Sequence, residues 1–191
     1  MARARAKRKV DTWKTKKWYD IYAPKMFGEI KIGETVASNP ENLIGRVIEV
    51  TLKDITGEFT KQHIKLKFQI HEVKGDKAYT KLKGHELSRE YMRSQIRRKT
   101  TRVEGIVDVV TKDGQKLRVR VIAIGRGRAQ TSQEEAIRRA MVEVIKNKVP
   151  KLTFEEFISQ VLNGTIAKEM YEPAHKIYPL KNIDVRKIKV L

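Results

Sequence analysis

The chain has 191 residues, with 42 Lys and Arg against 23 Asp and Glu, so its formal net charge is +19. The absence of cysteine excludes disulfide scaffolds, cysteine-based zinc and iron–sulfur sites, and thiol catalysis. A hydrophobic content of 40% is enough for a folded core, and no stretch approaches the roughly 20 apolar residues of a membrane-spanning helix. No apolar segment follows the basic start, so we expect no secretory signal and a cytoplasmic protein without membrane partners.

Positive charge is concentrated in the first two thirds of the chain. Residues 1–130 hold 31 Lys and Arg against 15 Asp and Glu, whereas residues 131–191 hold 11 against 8. Because the opening block repels itself, we expect a basic disordered arm over residues 1–16 that a polyanion neutralises. The basic residues at this end are Arg3, Arg5, Lys7, Arg8, Lys9, Lys14, Lys16 and Lys17. We expect one domain over 17–191, with a strand-rich basic part (17–130) and a helical part that ends in a closing strand (131–191).

Aromatic residues interleave with the lysines at this end. Trp13, Trp18, Tyr19 and Tyr22 are flat rings beside cations, a combination suited to stacking on unpaired bases. The same rings could instead anchor the arm to the core. The sequence leaves both interpretations open, with Trp13, Trp18 and Tyr19 as the stacking candidates.

Apolar alternation predicts about seven strands. The turn at 74–77 indicates one hairpin, and Asp113-Gly114 indicates another with a type I′ turn. In the second hairpin, Arg118 and Arg120 face away from the apolar side and form a basic outer face, which we expect to bind RNA. The predicted strands are 29–36, 46–55, 64–71, 78–83, 103–110, 117–124 and 185–190. The apolar parity of the last strand switches, which indicates either a bulge or burial on both faces.

Four segments are predicted to be helical. In the first, 88–99, Arg89, Arg93 and Arg97 repeat every four residues, and Arg98, Lys99 and Arg102 extend this basic patch. The next two begin at capping boxes that start at Ser132 and Thr153. The last, 166–177, should be interrupted near Pro173. Together these elements predict an α+β fold, with an antiparallel sheet or small barrel and C-terminal helices packed against it.

No constellation of residues indicates catalysis. His63, His71, His85 and His175 have no metal-ligand spacing, and neither a cofactor nor a metal is expected. The run Gly125-Arg-Gly-Arg128-Ala-Gln130 has glutamine where a dinucleotide-binding loop has its third glycine. We interpret it as a flexible loop in which Arg126 and Arg128 bind phosphate.

Five stretches, in order, resemble one protein family. They are Lys17-Trp-Tyr-Asp-Ile-Tyr-Ala-Pro-Lys-Met-Phe27, Gly45-Arg-Val-Ile-Glu-Val50 with Leu52, the segment Gly84 to Met92, Asp113-Gly114 before Leu117-Arg118, and Ile177-Tyr-Pro-Leu180 with Val185-Arg-Lys-Ile-Lys189. The chain resembles the archaeal and eukaryotic small-subunit ribosomal protein family eS1, also called S3Ae, from about Lys9 to Leu191. Its end at Leu191, without a long charged extension, and its lack of cysteine resemble an archaeal member.

The resemblance implies a structural component of the ribosomal platform near the messenger RNA exit. The expected partners are small-subunit ribosomal RNA, neighbouring platform proteins and messenger RNA. It also implies a barrel-like centre and no catalytic residue. The alternatives are a stand-alone RNA-binding regulator or, with less support, an RNA-modifying enzyme.

Overall fold

The computed structural model describes residues 13–191 and has the expected α+β class, with a mixed eight-stranded sheet and five helices over that range. The strands are β1 (Lys17–Tyr22), β2 (Lys31–Ala37), β3 (Val47–Thr51), β4 (Ile64–Lys74), β5 (Lys77–Leu87), β6 (Arg102–Val110), β7 (Lys116–Gly125) and β8 (Leu180–Val190). The helices are α1 (Leu52–Thr56), α2 (Arg89–Gln95), α3 (Thr131–Lys148), α4 (Phe154–Leu162) and α5 (Thr165–Ile177).

The chain divides into two compact units. Of the described residues, the first unit contains 13–48 and 68–81, and the second contains 49–67 and 82–191. The single domain expected over 17–191 stays a prediction.

In the first unit, β1 pairs with β2 antiparallel and with the start of β5 in parallel. The parallel pair makes the sheet mixed, whereas the sequence predicted an antiparallel one. Strand β1 was not predicted, although its side chains alternate. Tyr19 and Ile21 point into a core with Leu43, Ile70 and Ala78, because alternate residues of a strand share one face.

The strand predicted over 46–55 is wrong in its second half, where the chain forms α1. Thr51 caps this helix. Its N–H and hydroxyl both donate to a carboxylate oxygen of Asp54, at 3.3 and 2.6 Å. Leu52 and Ile55, three residues apart, are both buried. Helical spacing of two apolar residues therefore overrides the strand alternation.

The second unit orders its strands as β5, β8, β7 and β6, all antiparallel. Of the two alternatives for the last strand, β8 has the bulge, because Arg120 lies opposite Lys187 while Val121 lies opposite Val185. Arg186 is the extra residue. It reaches the Glu104 carboxylate on β6 at 2.5 Å.

The turn between β6 and β7 is not type I′. Gly114 has a positive φ of 76°, but Asp113 does not, and the loop closes through the Thr111 N–H donating to the Gln115 carbonyl at 3.0 Å. The Asp113 carboxylate instead accepts a hydrogen bond from the Phe154 N–H, at 2.8 Å. A contact distant in sequence thus replaces the local turn.

The C-terminal helices pack on the sheet as expected, with α3 against β6, and α5 against β8 and α3. Ile137, Met141 and Ile145 of α3 are fully buried at four-residue spacing. Gln130 and Gln133 cap α3, so the box predicted at Ser132 is wrong by two residues. The box at Thr153 is confirmed.

Helix α5 runs through Pro173 without the predicted interruption. Its buried residues Ile166, Met170 and Ala174 keep their helical spacing across the proline. Packing of this face outweighs the hydrogen bond that proline cannot donate.

Candidate nucleic-acid interface

Thr101 joins two predicted basic segments within the second unit. Its N–H donates to the Gly127 carbonyl and its carbonyl accepts from the Gly125 N–H, both at 2.9 Å. Its hydroxyl accepts from the Ala129 N–H at 2.8 Å. Residues 97–102 and the loop 125–129 therefore form one hydrogen-bonded structure.

This structure carries a group of cations that we name the arginine cluster: Arg97, Arg98, Lys99, Arg126 and Arg128. All five side chains are exposed. Within residues 13–191, no salt bridge involves any of them. Their donors are consequently available to an anion in solution.

The glycine loop, which we expected to be flexible, packs against Tyr178. A Cβ added at Gly125 would lie 3.2 Å from both the Tyr178 ring and the Gly127 carbonyl oxygen. One added at Gly127 would lie 3.1 Å from the Tyr178 hydroxyl. The Arg126 N–H also donates to the Pro179 carbonyl, at 3.1 Å. The two arginines project from a backbone fixed by packing.

Helix α2 is shorter than predicted and ends before the arginine cluster begins. Ser88 caps its start, and Ile96 has an extended conformation at its end. Arg93 is exposed in the last turn of α2, while Arg97 lies outside the helix, so the predicted three-arginine stripe is not helical throughout. Lys99 has a positive φ of 67°.

Lys181 extends this basic region and was not among the predicted site residues. Its ammonium donates to the Gln95 carbonyl at 3.4 Å. Lys181 and Gln95 are 86 positions apart, so no local sequence pattern predicts that they meet. The start of β8 brings Lys181 to Gln95 in the fold.

Three other predicted arginines have different surroundings. Arg118 forms a two-pronged pair with Asp108 on the neighbouring strand, with both distances 2.7 Å. Arg102 lies 3.4 Å from the carboxylate of Glu104. Arg120 is partly buried on β7. These positions are on the sheet, where carboxylates already neutralise two of the three guanidinium groups.

A chain of alternating charges crosses the strands of the second unit. Lys67 lies 2.8 Å from both Glu49 and Glu86, and Lys187 lies 3.0 Å from Glu86. Burial acts to raise the pKa of Glu86, but hydrogen bonds from the two lysines outweigh it and hold the pKa at about 2. We use the name paired cations of the sheet for Lys67, Lys187 and Arg118, whose carboxylate partners are Glu49, Glu86 and Asp108.

The three candidate rings for base stacking differ in their exposed fraction. In the first unit Trp13 and Trp18 are 63% and 61% exposed, and the Lys16 ammonium lies 4.6 Å from the Trp13 ring centroid. Tyr19 is only 5% exposed and belongs to the core, so its ring has no free face for stacking. The anchoring interpretation applies to Tyr19, whereas Trp13 and Trp18 keep accessible rings.

The remaining predicted cations at this end differ in whether the structure describes them. Lys14, Lys16 and Lys17 are exposed. The rest lie outside the described residues, namely Arg3, Arg5, Lys7, Arg8 and Lys9.

The described residues contain little that resembles a catalytic centre. In residues 13–191 no group of three His, Asp or Glu side chains could hold a metal ion. His85 is buried, and burial lowers its pKa to about 4, so the ring is neutral at pH 7. None of the helices in this range combines the length and the apolar character needed to cross a bilayer.

The described residues thus form an α+β protein with an exposed basic surface, and comparison with known proteins identifies its family. The model of the Ribosomal S3Ae family matches residues 4–191. The chain belongs to this family.

Individual relatives match almost from end to end. A protein of Desulfurococcus amylolyticus named "Small ribosomal subunit protein eS1" is 51% identical over 95% of this chain and 85% of its own length. One of Methanothermobacter thermautotrophicus with the same name is 47% identical over all of this chain and 98% of its own. A third, from Methanobrevibacter smithii, is 45% identical over the full length of both. The archaeal type expected from the sequence is therefore confirmed.

Proposed function

We propose that this protein is a structural constituent of the small ribosomal subunit and supports translation by binding ribosomal RNA. The observation that carries this proposal is a sequence identity of 45–51%, over nearly the whole chain, to proteins named small ribosomal subunit protein eS1. We place it on the platform near the messenger RNA exit, with platform proteins and messenger RNA as neighbours. We propose no catalytic role and no cofactor.

The geometry supports RNA as the ligand through the arginine cluster. A guanidinium group presents a planar fork that matches two phosphate oxygens, and ribosomal RNA supplies phosphates at regular spacing. Unlike the paired cations of the sheet, these side chains have no carboxylate within salt-bridge distance among residues 13–191 that binding would have to displace. Binding therefore costs no internal ion pair.

The full set of proposed RNA contacts extends beyond the cluster. It keeps the exposed tryptophans and the remaining predicted cations, and it omits Tyr19, which is buried, and Arg118, whose guanidinium group is held by Asp108. These further contacts are Arg3, Arg5, Lys7, Arg8, Lys9, Trp13, Lys14, Lys16, Lys17, Trp18, Arg93, Arg102 and Arg120.

Gradient sedimentation of lysate from the source cells, with immunodetection of this chain, tests the ribosomal role. We expect the protein in small-subunit fractions at moderate salt and its release only at high salt, because many phosphate contacts hold it. Protein confined to the top fractions would contradict the proposal and favour the stand-alone regulator.

Two tagged variants connect this test to the interface. The cluster variant carries R97Q, R98Q, R126Q and R128Q, and the sheet variant carries D108N and R118Q, which removes one charge of each sign. We expect the cluster variant to leave the subunit at lower salt than the unmodified protein. The sheet variant should be released at the same salt as the unmodified protein.

A further inference from the structure

A cleft of about 790 Å³ opens in the second unit and shares no residue with the arginine cluster. Its size lies within the range of small-molecule sites. Its walls come from β3 and α1, the segment before β4, and α2. The aromatic and basic residues among them are Lys53, Phe59, His63, Lys65 and Tyr91.

Two rings in the cleft already form a stacked pair. The His63 and Tyr91 centroids are 4.1 Å apart, with an interplanar angle of 23°. Burial lowers the pKa of His63, so its ring is uncharged at neutral pH. The pair is a preformed flat surface.

The third ring, Phe59, is 71% exposed, the largest exposed fraction among the hydrophobic side chains of residues 13–191. The Lys53 ammonium lies 4.0 Å from its centroid and covers one face. An exposed phenylalanine ring contributes little to the stability of the isolated protein, because little of its apolar surface is buried. A flat ligand that stacked on its open face would bury that surface.

The polar groups of the cleft also match a nucleotide. Asp54 is occupied by the two hydrogen bonds from Thr51, and the pKa of Glu90 is lowered by a hydrogen bond from its own backbone N–H. Lys53 and Lys65 make no salt bridge within the described part of the chain. Their ammonium groups can therefore bind a phosphate beside the rings.

We propose that this cleft binds an unpaired nucleobase of RNA, which stacks on the open face of Phe59 in the cleft that the His63–Tyr91 pair also lines, while Lys53 and Lys65 bind its flanking phosphates. The proposal rests on the proposed function in that the chain binds RNA. It adds a second kind of contact, because rings recognise a base that has left its helix, whereas the arginine cluster binds the backbone of any RNA.

The test uses two hairpin RNAs that differ by one bulged 2-aminopurine, whose fluorescence falls when it stacks. With the purified full-length protein we expect quenching of the bulged base and about tenfold tighter binding than to the hairpin without the bulge. F59A should remove this preference without changing affinity for the unbulged hairpin, and F59W should restore it. I106A, at an exposed apolar residue of β6 that does not line the cleft, is the matched control and should leave the preference intact.

The outcomes separate this proposal from the proposed function. Equal affinity of the unmodified protein for the two hairpins, or a preference that survives F59A, would overturn the cleft as a base site. A protein side chain would then be the better candidate for its occupant. The cluster variant should lose affinity for both hairpins, and its failure to do so would count against the arginine cluster alone.

Discussion

Basic residues of the sheet and of the arginine cluster have opposite surroundings. On the sheet, cations lie opposite carboxylates: Arg118 with Asp108, and Lys67 with Glu86. In the cluster, Arg97 and Arg126 have no acidic neighbour within salt-bridge distance among residues 13–191. Net charge alone therefore does not locate an RNA interface, since strand pairing decides which cations are already neutralised.

The largest effect is expected from breaking the sheet itself with G84A. A Cβ at Gly84 would collide with the Ile188 backbone carbonyl on β8, beside the pair of Glu86 with Lys187. We expect a loss of about 3 kcal/mol in the free energy of unfolding, because backbone cannot move aside as a side chain can. Urea denaturation measures it. G33A, at a glycine whose Cβ would meet nothing within 4 Å, is the control. Equal stability of the two variants would contradict the close strand approach.

The next effect concerns the support of the arginine cluster. T101V removes the hydroxyl that accepts the Ala129 N–H at 2.8 Å and leaves a buried donor without a hydrogen bond. We expect a loss of about 2 kcal/mol in stability. T101S, which keeps the hydroxyl, should lose less. If T101V weakens RNA binding no more than T101S does, the cluster does not depend on this support.

A smaller, pH-dependent effect comes from two carboxylates of the sheet. Burial raises the pKa of Asp184 to about 6, from an ordinary value of 3.8, and the hydrogen bond from the Asn182 amide offsets only part of this rise. A raised pKa means that the contribution of Asp184 to stability is present below pH 3.8 and is lost as the pH rises through about 6. D184N should therefore be more stable than the unmodified protein at pH 7.5, by about 1 kcal/mol, with the advantage vanishing near pH 4.

Glu86 provides the contrast for this experiment. Its pKa of about 2 lies below the ordinary 4.5, so its contribution is present above pH 4.5 and is lost as the pH falls toward 2. E86Q should therefore be less stable than the unmodified protein at pH 7.5. Thermal unfolding of both variants from pH 3 to 8 measures the two profiles, and profiles of the same sign would contradict these assignments.

The smallest effect is expected from the Asp108–Arg118 pair, although its two hydrogen bonds are short. Both side chains are exposed, and an exposed pair stabilises a protein by less than about 1 kcal/mol. A double-mutant cycle of D108N and R118Q measures this coupling. A coupling energy above about 2 kcal/mol would show that the paired cations contribute more to the fold than this account allows.

The sequence predicted the fold class and most strands, and it marked the parity switch in β8, because alternation and parity are local signals. It missed β1, whose outward-facing Trp18 and Tyr22 hide the inward alternation of Tyr19 and Ile21. It also placed a strand where Thr51 and Asp54 cap α1. These failures occur where long-range packing or a cap outweighs the local pattern.

For the site, composition identified the basic segments but not their pairing. Nothing in the sequence near Arg118 shows that Asp108 lies opposite, since the hairpin register determines it. Likewise, no sequence pattern marks Thr101, which the fold connects to the glycine loop through three hydrogen bonds. Sequence therefore identifies candidate cations, and the fold decides which remain available.

Salt dependence of RNA binding by the unmodified protein, the cluster variant and the sheet variant tests the central claim most directly. With about six phosphates neutralised, a plot of log K against log salt should have a slope of roughly −4 on single-stranded RNA and roughly −5 on duplex. The cluster variant should lose roughly 3 from the magnitude of this slope on single strands, and the sheet variant should keep the full slope. The same slope for all three proteins would contradict the account.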